Sequence, residues 1–307
     1  MEQNSFNIRP MREVAQEAIN YIEGRREHNI VSLKTRWEKF NRQCMGGIEP
    51  NLVMTIAGIS GSGKSSFANL IQTDLIDLNP NEDIVILTFS LEMVGFRQVG
   101  RTLSNKLRKT TSTLYSSEMS LDDETFRKVV IVSNQLKEYP IYFVDEPGTP
   151  MQVEQTIRYF YNQYVKGTGK HFVIIYDHAL LTKQVGSVLE TISELERVFI
   201  QIKKLPFTSI IQIAQMNRNI EASERINNPS SHYPMRSDLS SSDAIFQASD
   251  YVLVLHRPEI LNIQEYGPNR LPTNNKVYMH MLKNRDAGKP CILEFENDLM
   301  YNNLIEC

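Results

Sequence analysis

Apolar positions follow two rhythms along this chain. Near its start Met11, Val14, Ala15, Ala18, Ile19 and Ile22 recur at steps of three and four, which predicts one apolar stripe on a helix ending near Gly24. That stripe needs a cover, either the chain's own core or a neighbouring subunit. Short apolar runs rich in β-branched and aromatic residues follow at 52–57, 84–89, 141–144, 172–176, 209–214 and 251–255. Each predicts a strand in a sheet buried on both faces. Between them, helical spacing marks Val153, Ile157, Phe160, Tyr161 and Tyr164, then Val188, Ile192, Leu195, Phe199 and Ile202 before Pro206. A further helix begins with Ser66, Phe67, Ala68, Leu70 and Ile71. This alternation predicts an α/β fold with a mostly parallel central sheet and helices on both faces. Runs at 276–282 and 291–295 flank a Gly-containing turn and predict a C-terminal β-hairpin, while the polar stretch 228–242 reads as a mobile loop.

A length of 307 residues suits one large α/β domain, 46–307, behind an N-terminal extension, 1–45, that carries the amphipathic linker helix. A net charge of -3 gives no sign of a broad nucleic-acid coat, yet leaves room for a protein that touches a few phosphates. Cys44, Cys291 and Cys307 stand far apart with no C-x-x-C pair, so they read as reduced thiols. The first residues are polar and no apolar run reaches membrane length. The expected location is therefore cytoplasmic, with no membrane partner.

Gly58-Ile59-Ser60-Gly61-Ser62-Gly63-Lys64-Ser65 fits G-x-x-x-x-G-K-[ST], with a predicted strand before it and a helix after it. Glycines let the backbone curl into a nest of N–H groups around one anion, and the following helix adds its positive end. Gly58, Ser60, Gly61, Ser62, Gly63, Lys64, Ser65 and Ser66 are thus the expected binders of a nucleoside triphosphate, ATP, with Ser65 joining the shell of Mg²⁺. The shell needs a carboxylate as well. Asp145 (with Glu146 then the base) and Asp177 both end apolar strands; Asp177 is preferred because the next strand ends in the polar segment Gln215-Met216-Asn217-Arg218. Glu92, just past the 84–89 strand, is the candidate to orient attacking water, against the commoner role of a helix-start acid. His178 beside Asp177 reads as a packing residue.

In order along the chain, G-I-S-G-S-G-K-S is followed by F-S-L-E-M at 89–93, I-I-Y-D at 174–177, A-Q-M-N-R at 214–218, R-S-D-L at 236–239, A-I-F-Q-A-S-D at 244–250 and K-N-R at 283–285. These segments resemble the RecA-like motor domain of the DnaB-family replicative helicases, possible bacteriophage members included. The resemblance implies that Glu92 polarises the attacking water, Asp177 holds Mg²⁺ and Gln215 senses the γ-phosphate. It implies that Lys283 and Arg285 reach the site of the neighbouring subunit in a hexameric ring moving 5'-3' on single-stranded DNA. On the residues alone, K-N-R is a solvated turn. The resemblance also favours a neighbouring protomer as the cover for the 11–22 stripe.

Two departures qualify the resemblance. The helical domain that recruits primase in the family has no counterpart before residue 11, so a primase or loader partnership is not carried over from residues. Where the family has Arg-Glu-Ser-Gly in its DNA loop, this chain has Ser240, Ser241, Ser242 and Asp243, which lose fixed positive charge and add a repelling carboxylate. The nearest basic cluster is Lys106, Arg108 and Lys109, whose ordinary role is a solvated face. Three functions stay open at this stage: a DNA helicase driven by ATP hydrolysis, a RecA-like assembly or switch ATPase of recombinase or clock-protein type, and a nucleotide-binding scaffold. Glu92 argues against the scaffold.

Overall fold

The computed structural model describes residues 8–240, 242–286 and 288–307, with Ser242 described by its backbone only. The chain runs α1 (Met11–Arg26), α2 (Glu38–Gln43), β1 (Val53–Gly58), α3 (Lys64–Asp77), β2 (Ile84–Ser90), α4 (Gly95–Leu107), α5 (Thr111–Tyr115), α6 (Asp123–Leu136) and β3 (Ile141–Val144). It continues through α7 (Pro150–Tyr164), β4 (His171–Asp177), α8 (Val188–Ile202), β5 (Thr208–Gln215), α9 (Ser223–Ile226), α10 (Ser242–Ala248) and β6 (Tyr251–His256). A two-stranded ribbon, β7 (Glu265–Tyr266) and β8 (Leu271–Pro272), precedes β9 (Lys276–Asn284), β10 (Cys291–Asp298) and β11 (Asn303–Glu306).

Nine strands form one sheet in the order β11-β10-β9-β6-β1-β5-β4-β2-β3. From β6 to β3 all neighbours are parallel, and β9, β10 and β11 extend the sheet antiparallel. Side chains alternate between two buried layers: Met54, Ile56, Val173, Ile175, Ile211 and Ile213 face one; Val53, Ala57, Phe172, Ile174, Ile210 and Ala214 face the other. Both faces are covered, so a period of two in space reads as an unbroken apolar run in sequence. On the second face α7 and α8 each begin with a capping box, Thr149 with Gln152 and Ser187 with Glu190, which fixes where each helix starts.

The first face is sealed by the segment between α1 and β1. Trp37 stacks on Phe67 of α3 at 4.2 Å between centroids and meets Phe40 and Phe295 edge-on at 6.0 Å. Its indole N–H donates to the Leu304 carbonyl at 2.8 Å. The helix that carries the phosphate loop is thereby pinned to both ends of the chain's core.

Three expectations need correcting. The hairpin of β9 and β10 is followed by a third antiparallel strand, β11, so it does not close the sheet. Three helices, α4 to α6, fill the span between β2 and β3 where no element was predicted. The 228–242 stretch folds into short 3-10 turns around Arg225, whose guanidinium donates to the carbonyls of Ser231 and Tyr233 at 2.9 Å and pairs with buried Asp238. A buried ion pair with backbone bonds on the same guanidinium ties that segment down. Lys106 and Arg108 are partnered by Asp77 and Asp298, as a solvated face would be.

Candidate functional site

Parallel strands leave their carboxyl ends on one edge of the sheet, and the register brings four of these ends together. Gly58 lies opposite Gln215 across β1 and β5, and Ser90 lies opposite Asp177 across β2 and β4. The cleft there, about 300 Å³, is lined by Gly61, Lys64, Ser65, Glu92, Arg101 and Gln215, among others. Ser60, Gly63 and Ser66 also line it. A larger cleft of about 710 Å³ lies among Tyr161, Val165, Leu205, Pro206 and Phe207. Its mostly apolar walls suit no triphosphate, so the smaller polar cleft is the site.

The loop between β1 and α3 is built for close approach. A Cβ on Gly58 would stand 2.5 Å from the Leu255 carbonyl oxygen and collide with Ser62 Oγ, and Gly63, the N-cap of α3, has φ +95°. Lys64 is buried, with Nζ donating to the Ile59 carbonyl at 2.7 Å. Burial pulls its pKa down to about 8, against the raising effect of Asp177 and Glu92. Ser62 Oγ is buried without a protein partner, and Ser66 Oγ donates to Asn302 Oδ1 at 3.2 Å.

Asp177 sits at the end of β4, between β5 and β2, buried with Oδ1 lacking any protein partner. Burial raises its pKa, opposed by the neighbouring Ser65 hydroxyl. A lone carboxylate beside a hydroxyl, both hard oxygen donors, fits Mg²⁺, which takes one or two protein ligands and completes its shell with phosphate and water. Asp145, the alternative, lies past the edge strand β3 and accepts from the Gly95 N–H at 3.1 Å.

Glu92 is half exposed at the mouth of the cleft, its Oε2 3.8 Å from His178 Nε2. On its other side the same ring nitrogen lies 3.2 Å from Gln215 Nε2. His178 therefore bridges the two, and burial lowers its pKa so that it is neutral near pH 7. Sequence reasoning set this residue aside. Arg101 of α4 and Arg257 after β6 are further cleft residues it did not find. Arg101 Nη1 is buried without a partner, with Asp177 and Glu92 as the charges acting on it.

Gln215 leads into the loop expected to meet DNA. The Ser240 N–H donates to the Gln215 carbonyl at 3.0 Å, the Asn217 N–H to that of Asp238 at 2.7 Å, and Met216 bridges Leu239. Ser241 lies outside the described residues, as does the side chain of Ser242. The repelling role expected of Asp243 is corrected: Arg236 Nη2 pairs with Asp243 Oδ1 at 2.6 Å, which neutralises the carboxylate and brings a cation to the loop.

Lys283 and Arg285 stand at the other edge. Because β9 runs antiparallel to β6, its end meets the start of β6, with Tyr251 opposite Asn284. The Asp250 carboxylate that pairs with Arg285 also accepts the N–H of Val53, the first residue of β1, whereas the phosphate loop follows the last. Six residues of strand separate the two ends, roughly 20 Å at about 3.3 Å per residue. The two cations therefore face away from the cleft of their own chain.

This strand order, with a phosphate loop between the first parallel strand and its helix, is that of a RecA-like P-loop core. A solved ATPase domain of a phage helicase superposes with a TM-score of 0.80 at 19% identity, covering 98% of this chain and 100% of that one. A solved DnaB-like replicative helicase, described with its interactions with primase, gives 0.77 at 18% identity, covering 99% of this chain and 68% of that one. At these identities the likeness is one of fold. The family follows from sequence: the family model of the DnaB-like helicase C-terminal domain matches residues 32–301, and the chain belongs to that family. It is similar to the replicative DNA helicase DnaB of Pasteurella multocida, 25% identical over 243 residues, 76% of this chain and 48% of that protein. That of Leifsonia xyli is 25% identical over 253 residues, 81% and 52% respectively. The chain spans about half the length of these curated relatives. Among the described residues no helix is long and apolar enough to cross a membrane.

Proposed function

We propose that this chain is the motor of a ring-forming replicative helicase, hydrolysing ATP at subunit interfaces to move 5'-3' along single-stranded DNA and part the duplex. The observation that carries the reading is the placement of Lys283 and Arg285 on the sheet edge opposite the phosphate loop. Cations so placed serve only a nucleotide held by another copy, and a ring, expected to be hexameric, brings each such edge to a neighbour's cleft. An arginine supplied in trans is typically worth ~10³ to 10⁵ in rate. That amounts to about 4 to 7 kcal/mol, which an isolated subunit forgoes.

Within one chain the roles follow from position. Backbone N–H groups of 58–65 and the Lys64 ammonium hold the β- and γ-phosphates. Ser65 and Asp177 hold Mg²⁺, which neutralises phosphate charge when bound. Glu92 orients and deprotonates the water, with neutral His178 fixing the direction of its carboxylate. Gln215 contacts the γ-phosphate on one side and, through Ser240, the DNA loop on the other, so loss of that phosphate shifts the 237–243 segment. DNA phosphates are met there by Ser240, Ser241 and Ser242 and by Arg236. The apolar stripe of α1 supports assembly: Met11, Val14, Ile19 and Ile22 are all exposed and want a neighbour's surface. The 1–45 segment then links subunits and 46–307 is the motor. A loader or primase would dock on the assembled ring.

The test is ATP turnover with and without single-stranded DNA, together with opening of a forked duplex, on protein whose assembly state is measured in the same buffer. Turnover that climbs with DNA and a fork that opens support the motor. Flat turnover with an intact fork on an assembled ring would replace it with an assembly or switch ATPase.

A further inference from the structure

Lys283 and Arg285 do not project freely from the end of β9. Lys283 Nζ donates to the Phe246 carbonyl at 2.6 Å, and Arg285 Nη2 donates to the carbonyls of Gln247 at 3.3 Å and Ser249 at 3.5 Å. These are the last carbonyls of α10 and the residue after it, groups that a helix leaves without internal partners. Arg285 Nη1 completes the arrangement, 3.0 Å from Asp250 Oδ1.

Asp250 is the centre of this arrangement. It is 5% exposed, its Oδ2 accepts the Val53 N–H at 2.8 Å, and Lys203 Nζ pairs with it at 2.7 Å. Its backbone is tied on both sides as well: the Asp250 N–H donates to the Val53 carbonyl at 2.7 Å and the Arg285 N–H to the Asp250 carbonyl at 3.1 Å. One carboxylate facing Lys203 and Arg285 leaves a net positive charge, and the Arg285 side chain remains 46% exposed. Guanidinium donors not used on this scaffold are thus held in one outward direction. A long side chain on an open hairpin would otherwise spread over many rotamers, and the rate gain from a trans cation depends on its standing within a fraction of an ångström of its target.

We propose that Asp250, with the last turn of α10, is the positioning residue for the trans-acting pair Lys283 and Arg285. This rests on the reading that the pair serves a neighbour's nucleotide. Asp250 touches no substrate: its effect passes through the geometry of Arg285.

Asp250→Asn keeps an acceptor for the Val53 N–H and removes the charge that orients Arg285. In verified assemblies kcat for ATP should fall by about 10²-fold, the scale of a misplacement near 1 Å. KM for ATP should move by less than about twofold, since the phosphate cradle of the same chain is untouched. Mixing with Glu92→Gln chains, which carry intact Asp250 and Arg285 but a dead site, should restore turnover at Asp250→Asn sites next to them. Arg285→Ala chains mixed with Glu92→Gln chains serve as the reference. If the Arg285→Ala mixture recovers but Asp250→Asn keeps normal kcat, or loses it in a way mixing does not repair, the positioning role is overturned and the trans reading stands. If the Arg285→Ala mixture fails to recover, the trans reading falls and takes the positioning role with it. Should Asp250→Asn not assemble, Asp250→Glu moves the same charge by one methylene: a kcat loss repaired by mixing supports the proposal, and no loss or an unrepaired one overturns it.

Discussion

Lys64 shows how burial sets the chemistry of a single residue. In the absence of phosphate its ammonium has the Ile59 carbonyl as its hydrogen-bond acceptor, and burial holds its pKa at about 8. A bound triphosphate favours the charged form and raises that pKa again. Below about pH 8 the free protein already carries the proton. Above it, binding must take up a proton, so affinity falls with rising pH, approaching about tenfold per unit. Calorimetric titration of the assembly with a non-hydrolysable nucleotide should give weaker binding at pH 9 than at pH 7, and Lys64→Met should flatten the difference. A Kd in the unaltered protein that does not weaken across that range would contradict this account of Lys64. Lys64 itself was legible in sequence because G-x-x-x-x-G-K-S ties a residue to its role by local backbone geometry. His178 was not: its value comes from standing between Glu92 and Gln215, residues on other strands, and only the register of β2, β4 and β5 brings them within reach.

Among the elements, the parallel strands were all predicted to within a residue or two, since a strand buried on both faces spells a continuous apolar word. The helices between β2 and β3 gave no such signal. The buried positions of α4 are Gln98, Gly100, Thr102, Leu103 and Ser104, mostly polar or small, and α6 turns Phe126, Val130 and Ile131 outward. No apolar stripe toward the core exists there to be read. β11 escaped for a different reason, being four residues long with Leu304 inward and Ile305 outward. The packing of Trp37 is likewise invisible locally because Phe67, Phe295 and Leu304 come from distant parts of the chain. It has a measurable consequence: Trp37→Ala removes a buried ring from under α3 and should cost about 3 to 5 kcal/mol of stability. Denaturant unfolding of the chain should show that loss, and a change under about 0.5 kcal/mol, typical of a surface site, would mean Trp37 does not seal this face.

On the scale of the whole molecule, two surfaces are incomplete in one copy. The stripe of α1 is covered by nothing in its own chain, with Met11, Ile19 and Ile22 more than half exposed. Charged substitutions there, Ile19→Asp with Ile22→Asp, should leave the subunit folded, because no residue of α1 is buried. They should shift the assembly toward smaller species by light scattering, and an unchanged mass distribution would place the subunit contacts elsewhere. The other surface is the edge that bears Lys283 and Arg285, separated by the length of β1 from the phosphate loop of its own chain. Nothing in the triplet K-N-R distinguishes it from a solvated turn until the antiparallel pairing of β9 with β6 fixes which edge it occupies.

Across subunits, the most direct measurement is a structure of the assembly with a non-hydrolysable ATP analogue bound. The account predicts the Arg285 guanidinium within hydrogen-bonding distance of the γ-phosphate gripped by the next subunit's Lys64, with Lys283 beside it. Arg285 facing solvent, remote from every triphosphate in the assembly, would contradict it.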